Sequence, residues 1–561
     1  MSQQGRTKYR TQVCLYGTDR RTHEDKTLLP REDIPDVAIL GGGITGLATA
    51  YYLRKYLPHS TRIELFEGSS RLGGWLNSTS IDVGDGKVVL ESGPRTLRPN
   101  PPNGAVTLDL VHDLGLNDEV ISTIKNSPAA RNRYVYYPDH LVRMPGPGSS
   151  ILASLTSILR EPLFEKTLSH VLSEAAVQPR PEDLEDESIG SFISRRFGRG
   201  IADNIVSALF HGIYAGDIYK LSARTIIPSL WHTESHHNSI MVGMLSMLFG
   251  GGRPISDEDF LLLYDFNGPL RNRRNHSEEA RKSSVFTFHG GLGRLVSRLE
   301  AKLCESPNVF IHKQTAVSFD VNESDPEGGN LEEAHGSRDF SHVVSTVSSS
   351  ALGQCLGDHR IASNLLETKS VTVMVVNLVF ANPSILPVQG FGYLLPRSLP
   401  YEQNPELALG VIFDSDATPR QDTAQATKVT VMLGGHWWDD WHDYPDEEQG
   451  ASMAKAILKR HLSIEEDPIV IRVSLHKNCI PQYHVGHDGR MASLGQELER
   501  AFSGKLRVAG SSYTGVGFND CVRAARDVAL GLTTGQDKTG LDTFVRGRKW
   551  SWLQPHLVKY D

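Results

Sequence analysis

"DVAILGGGITGLATAYYL", residues 36–53, reads as a buried strand over Val37–Leu40, a glycine turn and then a helix. Gly41, Gly43 and Gly46 carry the G-x-G-x-x-G spacing. The first glycine permits a tight turn, the second lets backbone approach a pyrophosphate, and the third lets helix and strand pack closely. Gly42, Ile44 and Thr45 complete the turn, and the unpaired N–H groups of the helix start face the phosphates with its positive dipole end. A second strand, "RIELFEG", ends at Glu67, twenty-one residues after Gly46. A carboxylate there is placed to accept hydrogen bonds from a ribose diol. The alternative is an ordinary turn beside a surface glutamate. Strand, turn, helix and acid together predict a dinucleotide-binding βαβ unit.

The 561 residues suffice for two or three domains with large cores. A net charge of −8 argues against nucleic acid as a partner, and an anionic ligand needs a local basic site. Five cysteines (Cys14, Cys304, Cys355, Cys479, Cys521) are odd in number, scattered and without C-x-x-C spacing. That predicts free thiols in a reducing compartment and no structural metal. No apolar run reaches the ~18 residues of a spanning helix. The longest, "SIMVGMLSMLFGGG", gives out into glycines. The chain is expected to lie on a membrane at most, not to cross one. Residues 1–35 open with basic residues and gain acids from Glu24; a targeting segment and a disordered extension are both open readings.

The α/β pattern recurs at the start, middle and end of the chain, with other patterns inserted between. The expected organisation is an extension at 1–35 and nucleotide-binding pieces at 36–100, 284–360 and 496–536. Substrate-domain pieces fall at 101–145 and 361–495, a helical block at 146–283, and a tail at 537–561. Within the block, 251–283 reads as a charged surface insertion. This is a multi-domain α/β (α+β) chain: a Rossmann-like domain with an inserted β-sheet domain and a helical domain.

The residues beyond Glu67 decide which dinucleotide is bound. In "RLGGW", Arg71 can reach a phosphate, Gly73 and Gly74 clear room for a ligand running on from the pyrophosphate, and Trp75 closes the motif. In "ESGPRTLRP", Gly93 and Pro94 form a tight turn aimed at the same line. "VAGSSYTGVGFND" puts small residues and exposed N–H groups at a second helix start, suited to the flavin edge where negative charge develops on reduction. Together these predict one FAD per chain. Cys521 invites a covalent flavin link, but a small buried thiol is the commoner reading at a helix start.

"GGGITGL", "RLGGW" and "ESGPRTLRP" resemble the amine-oxidase-like FAD superfamily. "SPAARNRYVYY", "FHGIYAGDIYKLSARTIIPSLW", "FTFHGGLGRL" and "NCIPQYHVGH" narrow the resemblance to the protoporphyrinogen oxidase family over residues 36 to about 535. The resemblance implies non-covalent FAD and oxidation of protoporphyrinogen IX to protoporphyrin IX in haem biosynthesis. It further implies three two-electron hydride transfers, reoxidation by O2 to H2O2, and a peripheral place on the mitochondrial inner membrane. A homodimer and contact with ferrochelatase are implied as partners, nucleic acid is not. Arg133 matches the propionate-binding arginine, with Arg131 a weaker candidate. Leu378, Leu394 and Phe413 match the slot that sandwiches a pyrrole, with core packing the alternative for each; Gly290 and Gly291 either let the macrocycle approach the flavin closely or simply form a turn. Arg95, Thr96, Val317, Trp437, Val516, Gly517 and Phe518 carry over as FAD contacts. No catalytic acid or base is assigned, since hydride transfer to a flavin needs positioning above all. Two departures stand out: Ser348 where many relatives have proline, and Ser511 where many flavoproteins have an acid. The rival readings are a flavin amine oxidase, which would want an aromatic cage and no Arg133, and a non-catalytic binding protein resembling the GDP-dissociation inhibitors of small GTPases.

Overall fold

The computed structural model describes residues 34–146, 151–267, 278–320, 329–333, 336–357 and 360–554. The basic opening of the chain therefore lies outside the described residues. A five-stranded parallel sheet forms the nucleotide layer, in the order Val309–Lys313, Arg62–Glu67, Asp36–Leu40, His342–Ser345, Leu506–Val508. Its centre reads apolar because both faces are covered: Val37, Ala38, Ile39 and Leu40 are all buried. One face carries the helices Ile44–Tyr56, Gly293–Cys304 and Phe518–Thr534, the other Ser349–Cys355 and His487–Phe502. Strands from the start, middle and end of the chain thus pair as the recurring pattern predicts.

The layer is larger than the boundaries drawn from sequence. Val106, Leu108, Leu110 and Val111, on the helix Asn103–Asp113, join its core, and so do Leu541 and Phe544 of the tail. Apolar residues at i and i+4 needed a partner, and the nearest uncovered surface was the nucleotide layer.

The second sheet has seven strands, in the order Val470–Pro481, Ser370–Phe380, Thr427–Gly434, Ala408–Ile412, Gly392–Leu394, Tyr134–Tyr136, Leu141–Arg143. The hairpin expected at 134–144 supplies the last two strands. Strand period decides the sheet's two faces. Met374, Val376, Leu378 and Phe380 pack with Ala454, Ile457 and Leu458 on the helix Glu447–Leu462. Val379 packs on Val88 and Leu90, and Asn377 donates to the carbonyl of Glu91 at 3.2 Å. The odd-numbered face therefore looks, at this end, at the strand Gly86–Glu91.

Residues 151–248 are helical, as their pattern predicts. The stretch 251–283 differs from the expected charged loop. It holds the strand Arg253–Ser256 and the helices Asp257–Asn267 and Glu278–Lys282, with 268–277 outside the described residues. The tail explains the strand: Trp550–Leu553 pairs with it antiparallel, and Trp550 and Trp552 lie against His232 and His236 at 4.3 and 4.2 Å.

Candidate functional site

The three fingerprint glycines are required for different reasons. Gly41 has φ +98° and donates to the Phe66 carbonyl at 2.8 Å, so only glycine makes that turn without strain. A Cβ on Gly46 would stand 1.8 Å from the Gly41 carbonyl, so strand and helix touch there. Gly43 has φ −69°, and a Cβ would meet nothing nearer than Gly74 Cα at 4.0 Å. Nothing in the protein demands glycine at 43. The open space before it, at an N-terminus with no side-chain cap, fits a phosphate.

Glu67 is held by two backbone donors: Gly42 N–H to Oε2 at 2.7 Å and Ser69 N–H to Oε1 at 2.8 Å. A carboxylate pinned this way keeps its free lone pairs directed outward, as a ribose diol requires. The "RLGGW" turn docks on this loop: Gly73 donates to the Gly42 carbonyl at 2.8 Å and bridges to Gly43. Arg71 does not point at the phosphate line. Its guanidinium donates to the carbonyls of Leu72, Gly74 and Leu76 at 3.2, 2.5 and 3.1 Å, clamping its own turn. Five donors on one fork make it an efficient clamp for carbonyls that the turn leaves unpaired.

Gly93 is explained by Trp75, whose carbonyl would lie 2.1 Å from a Cβ. Trp75 is partly exposed, edge-on to His476 at 5.3 Å. Pro94 is exposed and Thr96 half-buried. Arg95, expected to touch the cofactor, is buried and pairs with Asp414 at 2.9 Å, which corrects that expectation for its side chain. The carbonyl of Val317, at the edge of a small sheet, accepts from Cys355 Sγ at 3.6 Å. Ser348 in place of proline caps the helix Ser349–Cys355, accepting from Ala351 N–H at 3.2 Å.

At the second helix start, Gly517 is the N-cap of Phe518–Thr534. Asp520 Oδ2 accepts from Gly517 N–H at 3.0 Å and Oδ1 from Asn103 at 2.6 Å, and burial raises the pKa of this carboxyl. Among the described residues, the buried Thr514 and Tyr513 hydroxyls and the Trp437 indole N–H have no hydrogen-bond partner. Tyr513 packs in the core on the other face of the sheet, whereas Thr514, three residues before Gly517, leaves an unpartnered hydroxyl beside the helix start, where a polar ligand would satisfy it. Val516 and Phe518 are half-buried on either side of Gly517. Burial pushes the Cys521 thiol up to about 12, which keeps it protonated and speaks against a nucleophilic thiolate.

The substrate-side expectations are split. Leu378 and Phe413 are fully buried in the core beneath the sheet, facing the helix Glu447–Leu462 and away from the nucleotide layer. The alternation was legible but its phase was not. Val371, Val373, Val375 and Leu409 occupy the opposite face, against Ala215, Met432 and Trp437. Leu394 is half-buried and packs towards the helical block, with Leu163 and Ala208. Gly291 (φ +78°) is held by chemistry missed from sequence: a Cβ would stand 2.4 Å from Glu91 Oε1 and 2.5 Å from Ser78 Oγ. Burial pushes the Glu91 carboxyl up to about 7, against the pull of Ser78 and the Leu292 N–H. Gly290 is exposed.

Arg133 opens to solvent above the Phe391 ring, 5.6 Å from its centroid. It makes no ion pair among the described residues, and partial burial with the nearby Arg98 charge lowers its pKa. Arg131 donates to Asn126 at 2.9 Å instead. Next to Trp437, His211 and His436 share a 2.8 Å hydrogen bond, and burial holds them near about 3 and about 4.

Residues 44–531 match the family described as flavin containing amine oxidoreductase. Among curated proteins, protoporphyrinogen oxidase of Schizosaccharomyces pombe is 35% identical, covering 89% of this chain and 98% of that protein. The Homo sapiens enzyme of the same name is 34% identical, covering 88% and 98%. A solved chain from Exiguobacterium sp. 255-15, named for the same activity, superposes with a TM-score of 0.68 at 22% identity, covering 89% of this chain and 99% of that one. At that identity the last shares the fold.

Proposed function

The chain belongs to the flavin-containing amine oxidoreductases and, within them, to the protoporphyrinogen oxidases, and on that premise we propose how its own residues perform the reaction. It is a flavin-dependent oxidoreductase that oxidises protoporphyrinogen IX to protoporphyrin IX in haem biosynthesis. The cofactor is FAD, held without a covalent bond. The open phosphate seat at Gly43, the pinned Glu67 carboxylate and the unpartnered Thr514 hydroxyl beside the second helix start support that reading.

When bound, the flavin supplies an acceptor for a hydride at a time. Six hydrogens leave the macrocycle over three turnovers, and three O2 become three H2O2. The protein's part is placement. Val371, Val373 and Val375, with Leu409 and Met432, offer an apolar wall beside Trp437. Arg133 offers a fork for a propionate. This pairing of an apolar wall with a cation that forms no ion pair among the described residues carries the assignment over an amine oxidase, whose substrate has no carboxylate to receive.

Membrane contact is part of the same proposal. Leu159, Leu172, Leu248 and Phe249, all in the helical block, are 64–88% exposed, and an interfacial helix buries such side chains among lipid. No described helix is long and apolar enough to cross a membrane. The inner mitochondrial membrane, a dimer and contact with ferrochelatase complete the proposal. The deciding experiment mixes oxidised enzyme with protoporphyrinogen IX without oxygen. Bleaching of the flavin with growth of porphyrin fluorescence is expected; a flavin that stays oxidised over minutes refutes the assignment.

A further inference from the structure

Each two-electron step takes two hydrogens from the macrocycle, and only one of them leaves as hydride. The other leaves as a proton and needs an acceptor. His476, on the strand Val470–Pro481, stands where the parts of the site meet. It pairs across the sheet with Val373, so its side chain shares the face of the apolar wall. Its neighbours Leu475 and Lys477 turn to the opposite face, towards Met374 and Tyr444. From the wall His476 reaches the cofactor side. Its Nε2 bonds the Ser92 carbonyl at 2.5 Å, one residue before the Gly93–Pro94 turn. The Trp75 ring of the "RLGGW" turn lies edge-on to it at 5.3 Å.

That carbonyl fixes the tautomer. A carbonyl can only accept, so Nε2 carries the proton, and a neutral imidazole then keeps a bare lone pair on Nδ1. Among the described residues Nδ1 has no hydrogen-bond partner. Burial, with the Arg71 guanidinium on the facing turn, lowers the pKa of His476 below the usual 6.5, so the ring is neutral and able to receive a proton near pH 7. Glu91, next to Ser92, is turned instead to the Ser78 hydroxyl and the Leu292 N–H. The other titratable groups along the wall are engaged. The Cys479 thiol donates to the Val371 carbonyl at 3.5 Å, and His211 and His436 bond to each other. His476 is half-buried, which leaves water a route to carry a proton away.

Resting on the assignment above, we propose that His476 is the general base of the reaction, taking a pyrrole proton on Nδ1 as the hydride leaves. The hydride departs a meso carbon with its electron pair, for the flavin. The pyrrole N–H bond breaks, its pair stays on nitrogen to neutralise the cation left behind, and the proton forms the Nδ1–H bond. The imidazolium returns that proton to water, and hydride, proton and O2 add up to H2O2. The Nε2–H bond to Ser92 persists throughout, so the base stays in place while its charge changes.

The test mixes flavin-loaded enzyme with protoporphyrinogen IX without oxygen, in pH-jump stopped flow. In wild type the rate of flavin reduction should rise with pH through one ionisation below 6.5 and then level. His476→Gln keeps a donor for the Ser92 carbonyl and has no base. It is expected to be at least about a hundredfold slower at pH 8, with no ionisation in its profile and with KM and flavin content within about twofold. 15N NMR of histidine-labelled wild type, assigned against this variant, should show a neutral His476 with its proton on Nε2 at pH 8. Should His476→Gln not fold, His476→Asn serves for the assignment, and the wild-type profile and the tautomer decide. A wild-type rate in His476→Gln, a loss matched by lost flavin, a flat wild-type profile, or a proton on Nδ1 at pH 8 would each overturn the proposal. A wild-type flavin that stays oxidised with protoporphyrinogen would instead overturn the assignment beneath it.

Discussion

Gly43 and Gly46, one helical turn apart, could hardly be less alike in the constraints they obey. Gly46 is demanded by the protein, because a side chain there would collide with the Gly41 carbonyl. Gly43 is demanded only by the ligand that approaches it. Gly43→Val should therefore fold, with a melting temperature within a few degrees of wild type, and purify colourless. Gly46→Val should yield little folded protein. Flavin absorbance per chain with a thermal melt checks both, and yellow Gly43→Val protein at full occupancy would remove the phosphate seat. Glu91 offers a second residue-scale prediction. Its carboxyl sits near 7 in the folded chain against about 4.5 unfolded, so the native state holds the proton more tightly. That preference costs nothing below pH 4.5. It destabilises the fold progressively from 4.5 to 7, by on the order of 3 kcal/mol. Glu91→Gln should remove this fall, seen as a smaller difference in melting temperature between pH 5 and pH 8. The fingerprint, Glu67 and the second helix start were legible because turn chemistry is local. Arg71 and Arg95 were not. Which of several acceptors an arginine chooses depends on carbonyls and acids that only the fold brings near.

A strand's alternation announces two faces without saying which one is wanted. Leu378 and Phe413 fit an apolar slot by pattern, yet they lie on the face sealed by the helix Glu447–Leu462. The opposite face carries Val371, Val373 and Val375. Phase is set by packing partners far away in the chain, so sequence supplied the period and not its sign. The helices of the 151–248 block pose the reverse problem, with apolar residues left exposed among the described residues. Leu248 and Phe249, at the end of the helix Ile240–Leu248, are 80% and 88% exposed. The double change Leu248→Glu with Phe249→Glu should cut co-sedimentation with anionic phospholipid vesicles by tenfold or more, while leaving detergent-assayed turnover in place. Equal sedimentation of both proteins would move the lipid contact elsewhere. The 251–283 stretch was misjudged for a related reason: its charges were visible, but the strand that completes it is Trp550–Leu553, almost three hundred residues on.

At the scale of the molecule, acid should be the chief threat. His211, His232, His436, His461 and His487 are held at about 3 to about 4 by burial, against 6.5 for a free imidazole. A depressed histidine favours the fold above its unfolded pKa and loses that support as pH falls towards its folded one. The five act together between pH 6.5 and 4, opposite in sign to the single Glu91, and they outnumber it. Melting temperature is expected to climb steeply from pH 4.5 to 6.5. His461→Gln, which keeps a donor for the Gln403 carbonyl, should flatten the climb by about one proton's worth. A flat profile in wild type would show that these imidazoles are wet.

The nucleotide layer has one more implication, and it concerns time. The first βαβ unit emerges from the ribosome within seventy residues, but the helix that packs on it begins at Phe518. Until that last stretch is made, the pocket has a floor and no wall. Flavin loading must therefore wait for the Phe518–Thr534 helix to be made.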